Sequence, residues 1–73
     1  MKFLAIDIGA SGGKAVIGEI INDKLSVREL RRFPNIITDI FSRKHWDIIR
    51  LFEEVKNCLR EAGEDISSVG IDT

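Results

Sequence analysis

The stretch "AIDIGASGGKAVIGEI" (residues 5–20) places a glycine-rich turn between two apolar runs. A nucleotide P-loop, GxxxxGK[ST], is excluded, since Ile8 stands where its first glycine must be and Ala15 where its hydroxyl must be. The GxGxxG fingerprint of dinucleotide-binding folds is absent as well. After the glycines, "KAVIGEI" is β-branched and apolar, which is typical of a strand. The stretch therefore predicts two strands joined by a glycine turn.

Composition is that of an ordinary globular domain and excludes several classes of partner. The 73 residues suffice for one small domain, and a net charge of −1 with 44% hydrophobic residues shows no bias toward nucleic acid or a membrane surface. No apolar run approaches the roughly 18 residues of a membrane span, and "MKFLAIDIG" lacks a signal-peptide cleavage site, so we expect a cytoplasmic protein. Cys58 is the single cysteine, which excludes an internal disulfide and predicts a packed thiol.

Three strands are predicted in the first half of the chain. Residues 2–8, "KFLAIDI", form a buried strand with Asp7 near its end, and residues 14–21 form a second strand. Residues 25–33 form a third, half-exposed strand whose alternation is imperfect. The polar turn "NDK" (22–24) joins the last two as a hairpin. The strands therefore make an antiparallel meander.

An amphipathic helix follows a segment, 34–45, whose lack of a clean period favours a loop. Asp47 is a good N-cap for this helix, and Gly63 is a good glycine for its end. The strand "VGIDT" (69–73) comes next, and a helical crossover places it parallel to the first strand. The apolar stripe of the helix consists of Ile48, Leu51, Phe52, Val55, Cys58, Leu59 and Ala62.

Charged side chains outside the glycine turn are predicted to face water. Glu53 and Lys56 lie three residues apart on the helix and form a weak ion pair. His45 is the single histidine, so it has no partners for a metal site. The solvated helix face consists of Glu53, Glu54, Lys56, Arg60 and Glu61, and the solvated basic group consists of Arg28, Arg31, Arg32, Arg43 and Lys44.

One helix can cover only one face of the predicted sheet. The other face then exposes apolar surface, which monomers seldom tolerate. We therefore expect residues 1–73 to be the beginning of a larger domain. We also expect these residues to self-associate through the uncovered sheet face when they are alone.

The glycine turn has the components of a phosphate-binding site. Glycines allow backbone amides to approach an anion, Ser11 adds a hydroxyl donor, and Lys14 adds a positive charge. Asp7 is placed to hold Mg²⁺ through water, since this ion keeps most of its hydration. A plain hairpin with incidental glycines remains the alternative on composition alone. The candidate phosphate-binding residues are Gly9, Ala10, Ser11, Gly12, Gly13 and Lys14.

The order of strand, DxGxSxxK turn, two strands, helix and strand resembles the opening of the actin-like ATPase superfamily. Within it the chain is most similar to the carbohydrate kinases of the FGGY family, of the rhamnulokinase type. The resemblance implies an α/β fold of the ribonuclease H-like class, with 1–73 as the amino-terminal portion of the first kinase domain and the rest absent. It is carried by "AIDIGASGGKAVIGEI" (5–20), "RRFPN" (31–35), "HWD" (45–47) and "VGIDT" (69–73).

The resemblance implies transfer of the γ-phosphate of MgATP to the hydroxyl of a small sugar such as a ketose. It places the aspartate general base beyond Thr73, so no catalytic residue is expected within the chain, and these residues alone are expected to be inactive. Asp72 and Thr73 match the start of a sugar-side segment. The chain departs from the family at Gly12, which replaces a serine, and at Lys14, which replaces an arginine and so exchanges a bidentate fork for one ammonium.

Two other functions are compatible with the sequence. One keeps the superfamily and makes the chain part of an activator ATPase, in which a cysteine pair would hold an iron–sulfur cluster. The other is a small non-enzymatic interaction module whose open sheet face docks on a partner. Response to MgATP separates the sugar kinase and the activator ATPase from the interaction module, because a docking module is indifferent to MgATP.

Overall fold

The computed structural model describes all residues, Met1–Thr73. Its elements are β1 (Lys2–Ile8), β2 (Gly12–Ile21), β3 (Lys24–Pro34), β4 (Ile37–Ile40), β5 (Arg43–Trp46), α1 (Ile48–Ala62) and β6 (Ile66–Asp72). The main sheet has the order β3-β2-β1-β6, and β4 and β5 form a separate hairpin. β1, β2 and β3 are an antiparallel meander, while β6 lies parallel to β1 after the α1 crossover. The predicted α/β class and strand directions are confirmed, and the ribonuclease H-like assignment stays a prediction.

Alternation along β1 separates the two faces of the sheet. Leu4, Ile6 and Ile8 are buried under the helix, whereas Ala5 and Asp7 are exposed on the other face, here called the open face. The core on the helix side consists of Leu4, Ile6, Ile8, Ala15, Ile17, Phe33, Leu51 and Cys58. The carboxyl end of β1 therefore presents Asp7 to solvent.

Helix α1 begins and ends as the sequence predicts. The Asp47 carboxylate accepts a hydrogen bond from the Arg50 amide at 3.1 Å, and Gly63 has φ 93° and donates its amide to the Leu59 carbonyl at 3.4 Å. The predicted apolar stripe is wider than the surface that the sheet covers. Ile48 and Phe52 remain 70% and 62% exposed. No helix of the structure has the length and apolarity needed to cross a membrane.

The prediction of a loop over 34–45 is wrong in the centre of that segment, because β4 and β5 pair there as a hairpin. Its two-residue turn, Phe41–Ser42, has φ of 51° and 63°. Hairpin turns of this kind usually carry asparagine, aspartate or glycine, as Asn22–Asp23 does between β2 and β3, so Phe41–Ser42 gives no turn signal. The last strand also begins at Ile66, earlier than the predicted 69.

Arg31 does not belong to a solvated basic face. It donates to the Glu61 carboxylate at 2.7 Å and to the Glu54 carboxylate at 3.2 Å, which ties β3 to α1. The prediction of a solvated Glu54 is therefore wrong, because its side chain is only 13% exposed and faces Arg31. Glu61 also pairs with Arg31 but stays exposed, as predicted. The predicted ion pair between Glu53 and Lys56 is confirmed at 2.7 Å.

Apolar surface remains uncovered on both sides of the sheet. The open face carries Leu25 and Val27, which are 66% and 59% exposed. On the helix side, a groove of about 400 Å³ lies between α1 and β6 and is lined by apolar side chains that include Trp46, Phe52 and Ile71. Self-association of the chain alone stays a prediction, and these are the surfaces that it would cover.

The thiol of Cys58 is expected to react only when the chain unfolds. Its side chain is fully buried, and this burial raises the pKa of the thiol, with the charge of Arg31 opposing the shift. Reaction with a disulfide reagent at pH 8 should be at least tenfold slower in the native chain than in urea. Because the pKa of the Cys58 thiol is higher in the folded chain than in the unfolded chain, the protonated thiol stabilises the fold at pH values below its unfolded pKa. That stabilisation is lost as the pH rises through the pKa of the folded state. Equal labelling rates in both conditions would contradict this packing.

Candidate functional site

The glycine turn is shorter than predicted. Only Gly9, Ala10 and Ser11 lie between the strands, because Gly12 and Gly13 are the first residues of β2. The Gly9 amide donates to the Gly12 carbonyl at 2.9 Å. None of the three glycines in this segment has a positive φ. Left-handed backbone is therefore not the reason for glycine here.

Close packing accounts for Gly12 and Gly13, the first two residues of β2. A Cβ on Gly13 would lie 2.2 Å from two ring carbons of Phe33, and a Cβ on Gly12 would lie 3.1 Å from the Phe33 carbonyl oxygen. The ring of Phe33 thus occupies the space that a side chain at Gly13 would need. A serine at position 12, the residue of the resembled family, would require a small displacement of β3.

Asn35, which follows β3, makes two hydrogen bonds to carbonyls of the glycine turn. It is 7% exposed, and its side-chain Nδ2 donates to the Gly9 carbonyl at 2.8 Å. Its backbone amide donates to the Ser11 carbonyl at 3.5 Å. The segment "RRFPN" supports the family resemblance, but no role for Asn35 was predicted from it. The available signal was an asparagine placed after a strand and a proline, which is typical of a residue that hydrogen-bonds backbone in a turn.

A row of four charged side chains crosses the open face at the level of the turn. Lys14 is the register partner of Asp7 on one side and of Arg32 on the other, and Asp7 is in turn the partner of Asp72. Register partners project to the same face, about 5 Å apart at Cβ. The row therefore runs from two cations, Arg32 and Lys14, to two carboxylates, Asp7 and Asp72.

The central members of this row are available to a ligand. Asp7, Lys14 and Asp72 are exposed and take part in none of the six ion pairs, whereas Arg32 pairs with Glu29. These three side chains line an open groove of about 410 Å³. An ammonium beside two carboxylates can hold a phosphate group and its divalent cation together.

No group of three or more histidine, cysteine, aspartate or glutamate side chains comes together in the chain. A cation at Asp7 and Asp72 would thus depend on water or a ligand for its other positions, which is the coordination that Mg²⁺ prefers. His45, exposed on β5, lies outside this row.

Comparison with known proteins identifies relatives along nearly the whole chain, although no protein-family model matches it. Rhamnulokinase of Bacteroides thetaiotaomicron is 36% identical over 75 residues, covering 99% of the chain and 16% of the relative. Rhamnulokinases of Halalkalibacterium halodurans and Oceanobacillus iheyensis are 45% and 40% identical, each covering 96% of the chain and 15% and 16% of the relative. The chain thus spans about a sixth of the length of these relatives. Over that length, as predicted, it belongs to the rhamnulokinase family.

Proposed function

We propose that the chain carries the phosphate-binding segment of an ATP-dependent sugar kinase. The observation that supports this most is the row of Lys14, Asp7 and Asp72 beside a turn in which the Ala10 and Ser11 amides have no acceptor. The names of the relatives support a sugar kinase, and the chain's share of their length supports a larger protein. In this proposal 1–73 is the amino-terminal part of a ribonuclease H-like domain of the actin-like class, in a cytoplasmic enzyme.

The phosphates of ATP are bound by the turn and by Lys14. The amides of Ala10 and Ser11 donate to no backbone or side-chain acceptor of the chain, and the Ser11 hydroxyl is exposed beside them. The Gly9 amide is already used by the Gly12 carbonyl, so the donors are concentrated at the tip of the turn. Gly12 and Gly13 shape this end of β2, and Lys14 supplies a charge at the next position on the open face.

Asp7 holds Mg²⁺ through water, and Asp72 is placed to share that role. Both carboxylates are exposed, adjacent in register and free of ion pairs, so they fit a hydrated divalent cation. The cation neutralises charge on the phosphates when MgATP is bound. Asp7 is not the general base, because it stands beside the phosphate turn; the residue that accepts the sugar proton lies outside this chain.

The acceptor is a ketose of the rhamnulose kind in this proposal, since the relatives are rhamnulokinases. An activator ATPase could use the same turn, but the relatives from Bacteroides, Halalkalibacterium and Oceanobacillus all carry the name of a sugar kinase. The 73 residues alone are expected to be inactive, because they contain the phosphate side of the site and not the base.

The test is phosphoryl transfer by the full-length protein with MgATP and rhamnulose, measured through ADP release. Loss of one charge-assisted hydrogen bond costs about 1.5–3 kcal/mol, so Lys14→Met should raise KM for MgATP at least tenfold. Lys24 is an exposed lysine at the β2–β3 turn, so Lys24→Met is the matched control and should leave KM for MgATP unchanged. The proposal fails if the wild-type protein phosphorylates no ketose, or if both variants show the same KM.

A further inference from the structure

We propose that Asn35 is a positioning residue that aims the amides of the glycine turn at the phosphate. The proposal rests on the phosphate-binding function above and adds to it a residue that follows β3. Asn35 is bound to the turn at two points, through Nδ2 to the Gly9 carbonyl at 2.8 Å and through its amide to the Ser11 carbonyl at 3.5 Å.

Peptide geometry converts these two contacts into a direction. Every peptide bond of the chain is trans, and in a planar trans peptide the C=O and the following N–H point in opposite directions. Because Asn35 holds the Gly9 carbonyl, the Ala10 amide is turned away from Asn35. Because Asn35 also holds the Ser11 carbonyl, the Gly12 amide is turned away in the same manner. Asn35 thus draws two carbonyls toward itself and directs two donors outward.

The Asn35 side chain also replaces a bond that the turn would otherwise make. A four-residue turn from Gly9 to Gly12 is commonly closed by donation from the last amide to the first carbonyl. The Gly12 amide does not donate to the Gly9 carbonyl, which accepts from the Asn35 side chain instead. The turn is therefore closed through the Asn35 side chain and not through the Gly12 amide.

The side-chain oxygen of Asn35 argues against packing as the reason for an asparagine here. Oδ1 is buried and has no hydrogen-bond partner, which is a cost that an apolar residue of the same size would not carry. An asparagine at this position is accounted for by what its Nδ2 does to the turn. Packing alone would favour leucine.

Asn35→Leu separates these roles, because it keeps the branched shape and the number of heavy atoms and removes both the donor and the unpaired oxygen. In the 73-residue chain, we expect the Gly12 amide to form the closing turn bond to Gly9, so that its hydrogen exchange by NMR slows about tenfold. In the full-length kinase, KM for MgATP should rise at least tenfold while KM for the sugar and the thermal midpoint stay near the wild-type values. Asn57→Leu, the same change on α1, is the control and should alter neither the Gly12 exchange rate nor KM for MgATP.

An unchanged Gly12 exchange rate overturns the proposal, and so does a slowed rate with an unchanged KM for MgATP. A variant that loses stability without any change in KM shows a structural role only. If Asn35→Leu does not fold, Asn35→Ser, which has no donor long enough to reach Gly9, gives the same two readings. Absence of phosphoryl transfer in the wild-type protein overturns the proposed function itself, and the exchange rates tell this case apart because they need no ATP.

Discussion

Replacing Gly13 by alanine should remove about 3 kcal/mol of stability, which is a large part of the total for a small domain. The new Cβ would lie 2.2 Å from two carbons of the Phe33 ring, a distance that forces the ring or the strand to move. Overpacking a core costs about 1–3 kcal/mol and occasionally more. A chain of 73 residues is stable by only about 4–11 kcal/mol. Urea unfolding followed by circular dichroism measures the loss.

Two further variants test the reason for this loss. Gly18→Ala changes a glycine in the same strand, where the nearest atom to a Cβ is 3.7 Å away, and it should shift stability by less than about 1 kcal/mol. Gly13→Ala combined with Phe33→Leu should recover part of the loss, because the smaller side chain leaves room for the methyl group. If Gly13→Ala and Gly18→Ala unfold at the same urea concentration, Phe33 does not fill the space beside Gly13.

Local patterns in the sequence were sufficient for most of the main sheet and for the helix. The apolar run of β1, the Asn22–Asp23 turn and the Asp47 cap each act within a few residues, so their physical signals are visible without the fold. The Phe41–Ser42 hairpin was missed because its backbone adopts positive φ without the residues that usually accept it. Its strands are also short, four residues each, and give no clear alternation.

The imperfect alternation of β3 has a structural cause that sequence could not locate. Pairing between β2 and β3 shifts register between Ala15 and Val16, so Glu29 pairs on the open face whereas Arg31 pairs with buried Ala15 on the helix side. One inserted residue reverses the face of everything after it. The charge pattern predicts a solvated Arg31, whereas the shifted register turns this residue toward the helix.

The candidate site was predictable in its local part only. Asp7 and Lys14 flank the turn in sequence, so their chemistry could be proposed from spacing alone. The row with Arg32 and Asp72 depends on the register of two other strands, and the contact of Asn35 with Gly9 joins residues 26 positions apart. Such contacts follow from the assembled sheet.

Arg31→Met should also lower the free energy of unfolding substantially. The side chain of Glu54 is only 13% exposed, and without the guanidinium its remaining partner is the Asn57 amide at 3.4 Å. Removing one member of a buried ion pair costs about 3–5 kcal/mol, but Glu61 is 46% exposed and its pair is screened by water. Methionine also removes the buried Arg31 Nε, which has no partner. We therefore expect a loss of about 2–3 kcal/mol in urea unfolding at pH 7.

A double-mutant cycle identifies the source of that loss. Glu54→Gln in the Arg31→Met background should recover about 1–2 kcal/mol, because the uncompensated carboxylate is then gone. Arg32→Met is the matched control: its side chain is 71% exposed and pairs with Glu29 three residues away, so its loss should stay below about 1 kcal/mol. Equal losses for the two arginines, or no recovery on removing Glu54, would show that β3 and α1 are held by apolar packing and not by this ion pair. A cycle that closes as expected would instead show that the Arg31–Glu54 pair adds to the apolar packing of Leu51 and Cys58 in holding α1 against the sheet.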